Sequence, residues 1–174
     1  MKALIVVDMQ NDFVDPNGSI YCGLQAREII IPICKRIDIY LENKDRVFFL
    51  QDTHQTGDKS LNLFGNHCIE DTWGHEIIPE LNNYLEHEYT YTIRKNRFSG
   101  FYNTGLYGTF LDLGIVDVEL VGVFTSMCVF ETAIDSADRD YDISIPRDCV
   151  ADSDSTTHEF FLKRMAEIYN VAVI

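Results

Sequence analysis

The sequence predicts an α/β fold: a single doubly wound domain over residues 1–174, with a mostly parallel six-stranded sheet and helices on both faces. Two observations carry this. Short apolar runs alternate with helix-period segments, the order of right-handed β-α-β crossovers. The runs are continuous rather than alternating, as in strands buried on both faces. No repeat, low-complexity tract or linker interrupts the pattern.

Residues 3–7 read as the first buried strand. Residues 25–41 form a helix with Ile29, Ile30, Ile33, Ile37 and Leu41 on one face, and Pro32 either kinks it or marks its true start. Residues 47–50 and 89–93 are the second and third strands, and 104–113 a short helix. The fourth strand, 118–123, runs into a helix over 129–139, followed by a fifth strand at 143–145. A last helix at 159–169 and a closing strand at 171–174 complete the sheet. The irregular stretch 53–74 is too long for a connection and is read as functional.

The composition narrows the function. A net charge of −14, from 28 acids against 14 bases, argues against a nucleic-acid partner and an anionic membrane surface. No apolar run is long enough to span a bilayer, and the N-terminal run meets Asp8 too soon for a secretory leader. Five scattered cysteines without a C-x-x-C pair read as reduced thiols of a cytoplasmic protein. The expected partner is a small molecule; a homo-oligomer is compatible with the chain.

In doubly wound sheets, ligands bind beyond the carboxyl ends of the strands, beside the switch point. Asp8 ends the first strand and Asp52 the second; Lys95 follows the third and Cys128 the fourth. Cys128 falls in a strand-to-helix turn, where free N–H groups and the helix dipole favour a thiolate, so it is a candidate nucleophile. Taken alone it reads as a small core cysteine, Asp8 as a turn cap and Lys95 as a surface cation. Together they form a nucleophile, a general base and the cation that keeps that base ionised, a generalised triad.

Asp52-Thr-His54 places a carboxylate and an imidazole on one side of an extended segment, and His67 closes a three-ligand site with open positions. These donors suit Zn²⁺ best, then Fe²⁺ or Mn²⁺. Otherwise they are a polar loop pair. His75, His87 and His158 are expected to be solvated.

The segments Ala3-Leu-Ile-Val-Val-Asp-Met-Gln-Asn-Asp-Phe13, Lys95-Asn-Arg-Phe-Ser-Gly-Phe101 and Gly122-Val-Phe-Thr-Ser-Met-Cys-Val129 resemble the signatures of the isochorismatase-like cysteine hydrolases. The resemblance covers essentially the whole chain. It implies the Asp8, Lys95, Cys128 triad, and a non-proline cis peptide between Val123 and Phe124. It also implies an oxyanion hole from the backbone N–H groups of Phe124 and Cys128.

Asp52-Thr-His54, His67-Cys68 and Thr72-Trp-Gly74 resemble the nicotinamidase branch, whose metal holds the pyridine nitrogen. That likeness implies an aromatic clamp of Phe13, Phe64 and Phe98, and cleavage of nicotinamide to nicotinate and ammonia. The chain departs from it at Phe64-Gly-Asn66, where prolines are usual, and at Ser126-Met127, where an acid and an aromatic are common. A fourth metal ligand has no clear match, leaving Asp58, Ser60 or water. Two alternatives stay open: an amidase of carbamoyl or ureido substrates, and a non-catalytic binding module. The second lacks a glycine-rich phosphate loop, because Asp8-Met-Gln-Asn11 occupies its place.

Overall fold

Alternate residues of the central strands enter two separate cores. Along β1 (Lys2–Val7), Leu4 and Val6 pack with Ile33, Ile37 and Phe49 on one face. Ala3, Ile5 and Val7 pack with Phe48, Phe110 and Leu162 on the other. Burial on both faces removes the need for a polar alternate position. In this computed structural model, which describes residues 1–174, the other strands are β2 (Arg46–Asp52), β3 (Thr90–Lys95), β4 (Asp117–Val123), β5 (Asp142–Ile145), β6 (Val150–Ala151) and β7 (Ala172–Val173).

All pairings are parallel, in the order β3-β2-β1-β4-β5-β7, with β6 also on β4. The order reverses between β1 and β4, and the crevice there is where such sheets bind ligands. The sheet has seven strands rather than six. β6, only two residues long, is too short to leave a pattern; it pairs Gly122 and Val123 where β5 has diverged from β4. β2 and β3 run further than the apolar runs, ending on the polar residues Asp52 and Lys95. β3 lies at the sheet edge and buries only Lys95 completely, so it departs from burial on both faces. Gly122 has φ +111, and a Cβ there would lie 2.1 Å from the Val7 carbonyl oxygen. Its lack of a side chain lets β4 approach the end of β1.

The helices are α1 (Asn11–Val14), α2 (Leu24–Glu28), α3 (Ile30–Glu42), α4 (Leu61–Phe64), α5 (Leu106–Leu113), α6 (Phe130–Ala137) and α7 (Ser155–Tyr169). The helix expected over 25–41 is thus two, broken at Ile29. Pro32 sits in the first turn of α3, where a missing N–H costs nothing. α7 starts at Ser155 rather than 159 because the Asp154 side chain accepts the Thr157 N–H at 2.6 Å. The stretch 53–74 carries α4 and the start of a 3₁₀ turn, Trp73–His75. No helix is long and apolar enough to cross a membrane, and all five cysteines are free thiols.

Candidate active site

Three neighbouring strands deliver three charged side chains to one point. Asp52 and Lys95 are register partners at the ends of β2 and β3, and Asp8 follows β1. Asp8 is held at φ +52, in the left-handed region, with its N–H donated to the Leu50 carbonyl at 3.1 Å. Non-glycine residues accept that conformation where the surroundings enforce it, often at functional sites. Beyond β4 the chain passes through a cis peptide between Val123 and Phe124. It then winds into one π-helical turn, Thr125–Val129, that contains Cys128. Cys128 therefore sits inside a wound turn continuous with α6, not in an open loop ahead of the helix. Such turns recur at functional sites.

Lys95 is the hub. Its buried Nζ lies 2.8 Å from Asp8 Oδ2, 3.4 Å from Asp52 Oδ1 and 3.4 Å from Cys128 Sγ. Burial disfavours its ammonium, but the two carboxylates outweigh that and hold it charged. Burial raises Asp8 to about 6, with the Lys95 charge opposing. Its carboxylate oxygens are sealed from solvent, with Oδ2 against the Lys95 ammonium, so the groups beside it that can exchange a proton with it are those of the site itself. Asp52 is also buried, yet Lys95, His54 and His67 pull it well below the usual carboxylate range.

The thiolate expected for Cys128 is overturned. Burial, then the Asp8 charge, raise the thiol well above its ordinary value, and Lys95 only partly offsets them. The desolvation of a buried anion exceeds what one helical turn supplies. The resting group is a thiol facing the Lys95-paired carboxylate of Asp8, which suits proton transfer during attack.

The second cluster shares Asp52. Ligand atoms of Asp52, His54 and His67 all lie within 4.8 Å of one another, and all three residues are buried. Nε2 of His54 is 2.9 Å and Nε2 of His67 3.4 Å from Asp52 Oδ2. The far nitrogens are engaged elsewhere: Nδ1 of His67 is 2.8 Å from the Gly65 carbonyl, and Nδ1 of His54 lies 3.1 Å from Ser60 Oγ and 3.3 Å from Asp58 Oδ2. Outer partners of this kind fix ring orientation and leave Nε2 for an ion. Two imidazoles converging on one buried carboxylate fit a divalent metal. Asp58 and Ser60, the residues open to a fourth-ligand role, both meet the outer nitrogen of His54.

A cavity of about 260 Å³ joins the clusters, with Cys128 and His54 both on its wall. Phe13, Phe64 and Phe98 line it, with Ile20, Phe124 and Met127. Phe13 is buried and packs against His67 and Phe124 at centroid distances of 5.8 and 5.7 Å. Phe64 and Phe98 are partly exposed, 6.4 Å apart at the mouth.

His75 is buried rather than solvated. Its Nε2 is 2.9 Å from Thr53 Oγ1, and its carbonyl accepts from Gln10 and Gln51. His158 is half-buried against Thr125 Oγ1 at 2.9 Å, while His87 is exposed.

Sequence reasoning missed three buried supports: Gln10, Asp12 and Asp152. The Gln10 amide accepts the Asp52 N–H at 2.7 Å and donates to the Asp52 carbonyl at 2.9 Å. Asp152 accepts the Ser126 N–H at 2.7 Å and steadies the cysteine turn. The polar alternation Asp8, Gln10, Asp12 was the one available signal; the partners lie far off in sequence.

An Isochorismatase domain model matches residues 2–174. The isochorismatase family protein PncA of Bacillus subtilis is 32% identical over 172 residues, covering 95% of this chain and 94% of that protein. The crystal structure of nicotinamidase PncA from Bacillus subtilis superposes with a TM-score of 0.93 at 31% identity, over 99% of this chain and 98% of that one. The pyrazinamidase of Pyrococcus horikoshii in complex with zinc superposes with a TM-score of 0.91 at 27% identity, again over 99% and 98%. The family match and the likeness in fold both extend over almost the whole chain, and the chain belongs to the isochorismatase family.

Proposed function

We propose that this protein is a cysteine amidohydrolase that converts nicotinamide to nicotinate and ammonia. One observation carries the reading: a buried Asp-His-His cluster and a buried cysteine face one aromatic-lined cavity. Two structural neighbours, a nicotinamidase of Bacillus subtilis and a pyrazinamidase of Pyrococcus horikoshii in complex with zinc, support it.

The ring lies between Phe13 inside and Phe64 and Phe98 at the mouth. Asp52, His54 and His67 would hold a divalent metal, zinc by donor type, which when bound supplies an electrophilic anchor for a ring heteroatom. Cys128 passes its proton to Asp8 as Sγ attacks the carboxamide carbon. The oxyanion accepts hydrogen bonds from the N–H groups of Phe124 and Cys128. Asp8 then gives the proton to the departing ammonia, leaving a thioester. Asp8 next takes one proton from a water whose oxygen attacks the thioester carbon. The C–S bond breaks as that proton returns to Sγ, and the released acid gives its remaining proton to solvent to become nicotinate. Lys95 stays charged throughout and offsets the negative charge shared by Asp8 and Sγ.

Two results test this. Benzamide keeps the ring and the amide but lacks the nitrogen. Its kcat/KM should fall below that of nicotinamide by about 2–4 kcal/mol, while pyrazinamide remains a substrate. Equal values for nicotinamide and benzamide would leave the cysteine chemistry and remove the heteroatom anchor. Turnover of carbamoyl or ureido compounds alone would move the substrate class.

The pH profile reads the base directly. Asp8 must be ionised to accept the thiol proton, and burial lifts it to about 6. Activity should therefore be present above that value and be lost as pH falls through it. An acid limb near the ordinary carboxylate value, close to 4, would exclude Asp8 as the group observed.

A further inference from the structure

Asp12 is buried and has no cationic partner. Its carboxylate instead accepts two backbone N–H groups from separate segments: Cys68 N to Oδ2 at 2.7 Å and Ser19 N to Oδ1 at 3.0 Å. A third bond runs from Ile20 N to the Asp12 carbonyl at 3.0 Å. Gly74 closes over the carboxylate so tightly that a Cβ there would lie 2.2 Å from Oδ2.

Cys68 is the node on the far side. It has φ +46, a left-handed conformation that a non-glycine residue keeps only under restraint. Its carbonyl accepts the His54 N–H at 2.9 Å, and it directly follows His67. One restrained residue therefore sets the backbone of both histidines, and one carboxylate holds it.

The geometry points to Asp12 as a positioning residue for the metal site: it clamps Cys68 so that His54 and His67 present Nε2 to Asp52. The side chain through Ser19 and the backbone carbonyl through Ile20 also anchor a cavity wall, since Ile20 lines the pocket. The assignment rests on the metal reading proposed above.

Asp12→Asn is the direct test, because it keeps shape and removes one acceptor. One of the two N–H groups must then face an amide NH₂, and the clamp opens on that side. Zn²⁺ affinity, measured by chelator competition on the full chain, should fall by roughly 10–100-fold. Asp154→Ala removes the α7 cap far from the site and is the stability control. It should lower the melting temperature and leave Zn²⁺ affinity unchanged.

Amide exchange in the metal-free wild type tests the clamp without any variant. The Cys68 N–H should be protected well beyond that of exposed loop residues such as Gly57. Unchanged Zn²⁺ affinity in Asp12→Asn, or free exchange at Cys68, would overturn the assignment and leave the metal site standing. Failure of the wild type to bind Zn²⁺ would instead remove the metal reading and this inference with it.

Discussion

Replacing Cys128 with alanine is expected to lower kcat/KM for nicotinamide by on the order of 10⁴-fold or more, with the fold intact. The cavity offers no equivalent nucleophile. Its one lining hydroxyl, Ser60 Oγ, is engaged by Asp58 Oδ1 at 3.0 Å and by His54 Nδ1 at 3.1 Å. The thiol is held protonated by burial and by Asp8, so the enzyme depends on transferring that proton during attack. Alanine removes both the proton and the acceptor of the acyl group. Ammonia release in single-turnover and steady-state assays gives the loss, and calorimetry with nicotinamide shows whether binding survives. A variant that binds and still turns over at more than about one per cent of the wild-type rate would place the nucleophile elsewhere.

The second large effect is on stability. Lys95→Met keeps most of the stem volume but leaves Asp8 and Asp52 without the cation at 2.8 and 3.4 Å. Breaking a buried ion pair from one side costs about 3–5 kcal/mol, because a charge stays buried and unpaired. The sign with pH follows from the direction of the shift. Without Lys95, Asp8 rises above its present value of about 6, and Asp52 loses the strongest influence holding it down. A carboxylate raised in the fold carries no penalty below about pH 4, where both states hold the proton, and the full penalty above its folded value. The deficit of the variant should therefore be largest near pH 7.5 and shrink near pH 5. Urea unfolding of both proteins at the two pH values reads it directly. An equal deficit at both would assign the cost to lost packing rather than charge.

Much of this protein was legible in one dimension. Strands buried on both faces must be continuously apolar, so residues 3–7, 47–50 and 118–123 declared a parallel sheet. That topology in turn placed Asp8, Asp52, Lys95 and Cys128 at one edge. The Asp-x-His spacing declared its shared face because alternate residues of an extended chain point one way. What the sequence left undecided depends on distance through space rather than along the chain. β6 exists because β5 leaves β4 early, and α2 and α3 separate at Ile29 although the apolar face runs through both. The state of Cys128 was misread because a helical turn is local while burial is not. The tertiary fold removes the thiol from water and sets a carboxylate beside it, and desolvation outweighs the turn's field. His75, Gln10 and Asp12 look like surface polar residues until segments 22 to 65 positions away supply their hydrogen-bond partners. A buried polar side chain is tolerated only where the fold completes its hydrogen bonds, and that completion was decided by the tertiary structure alone.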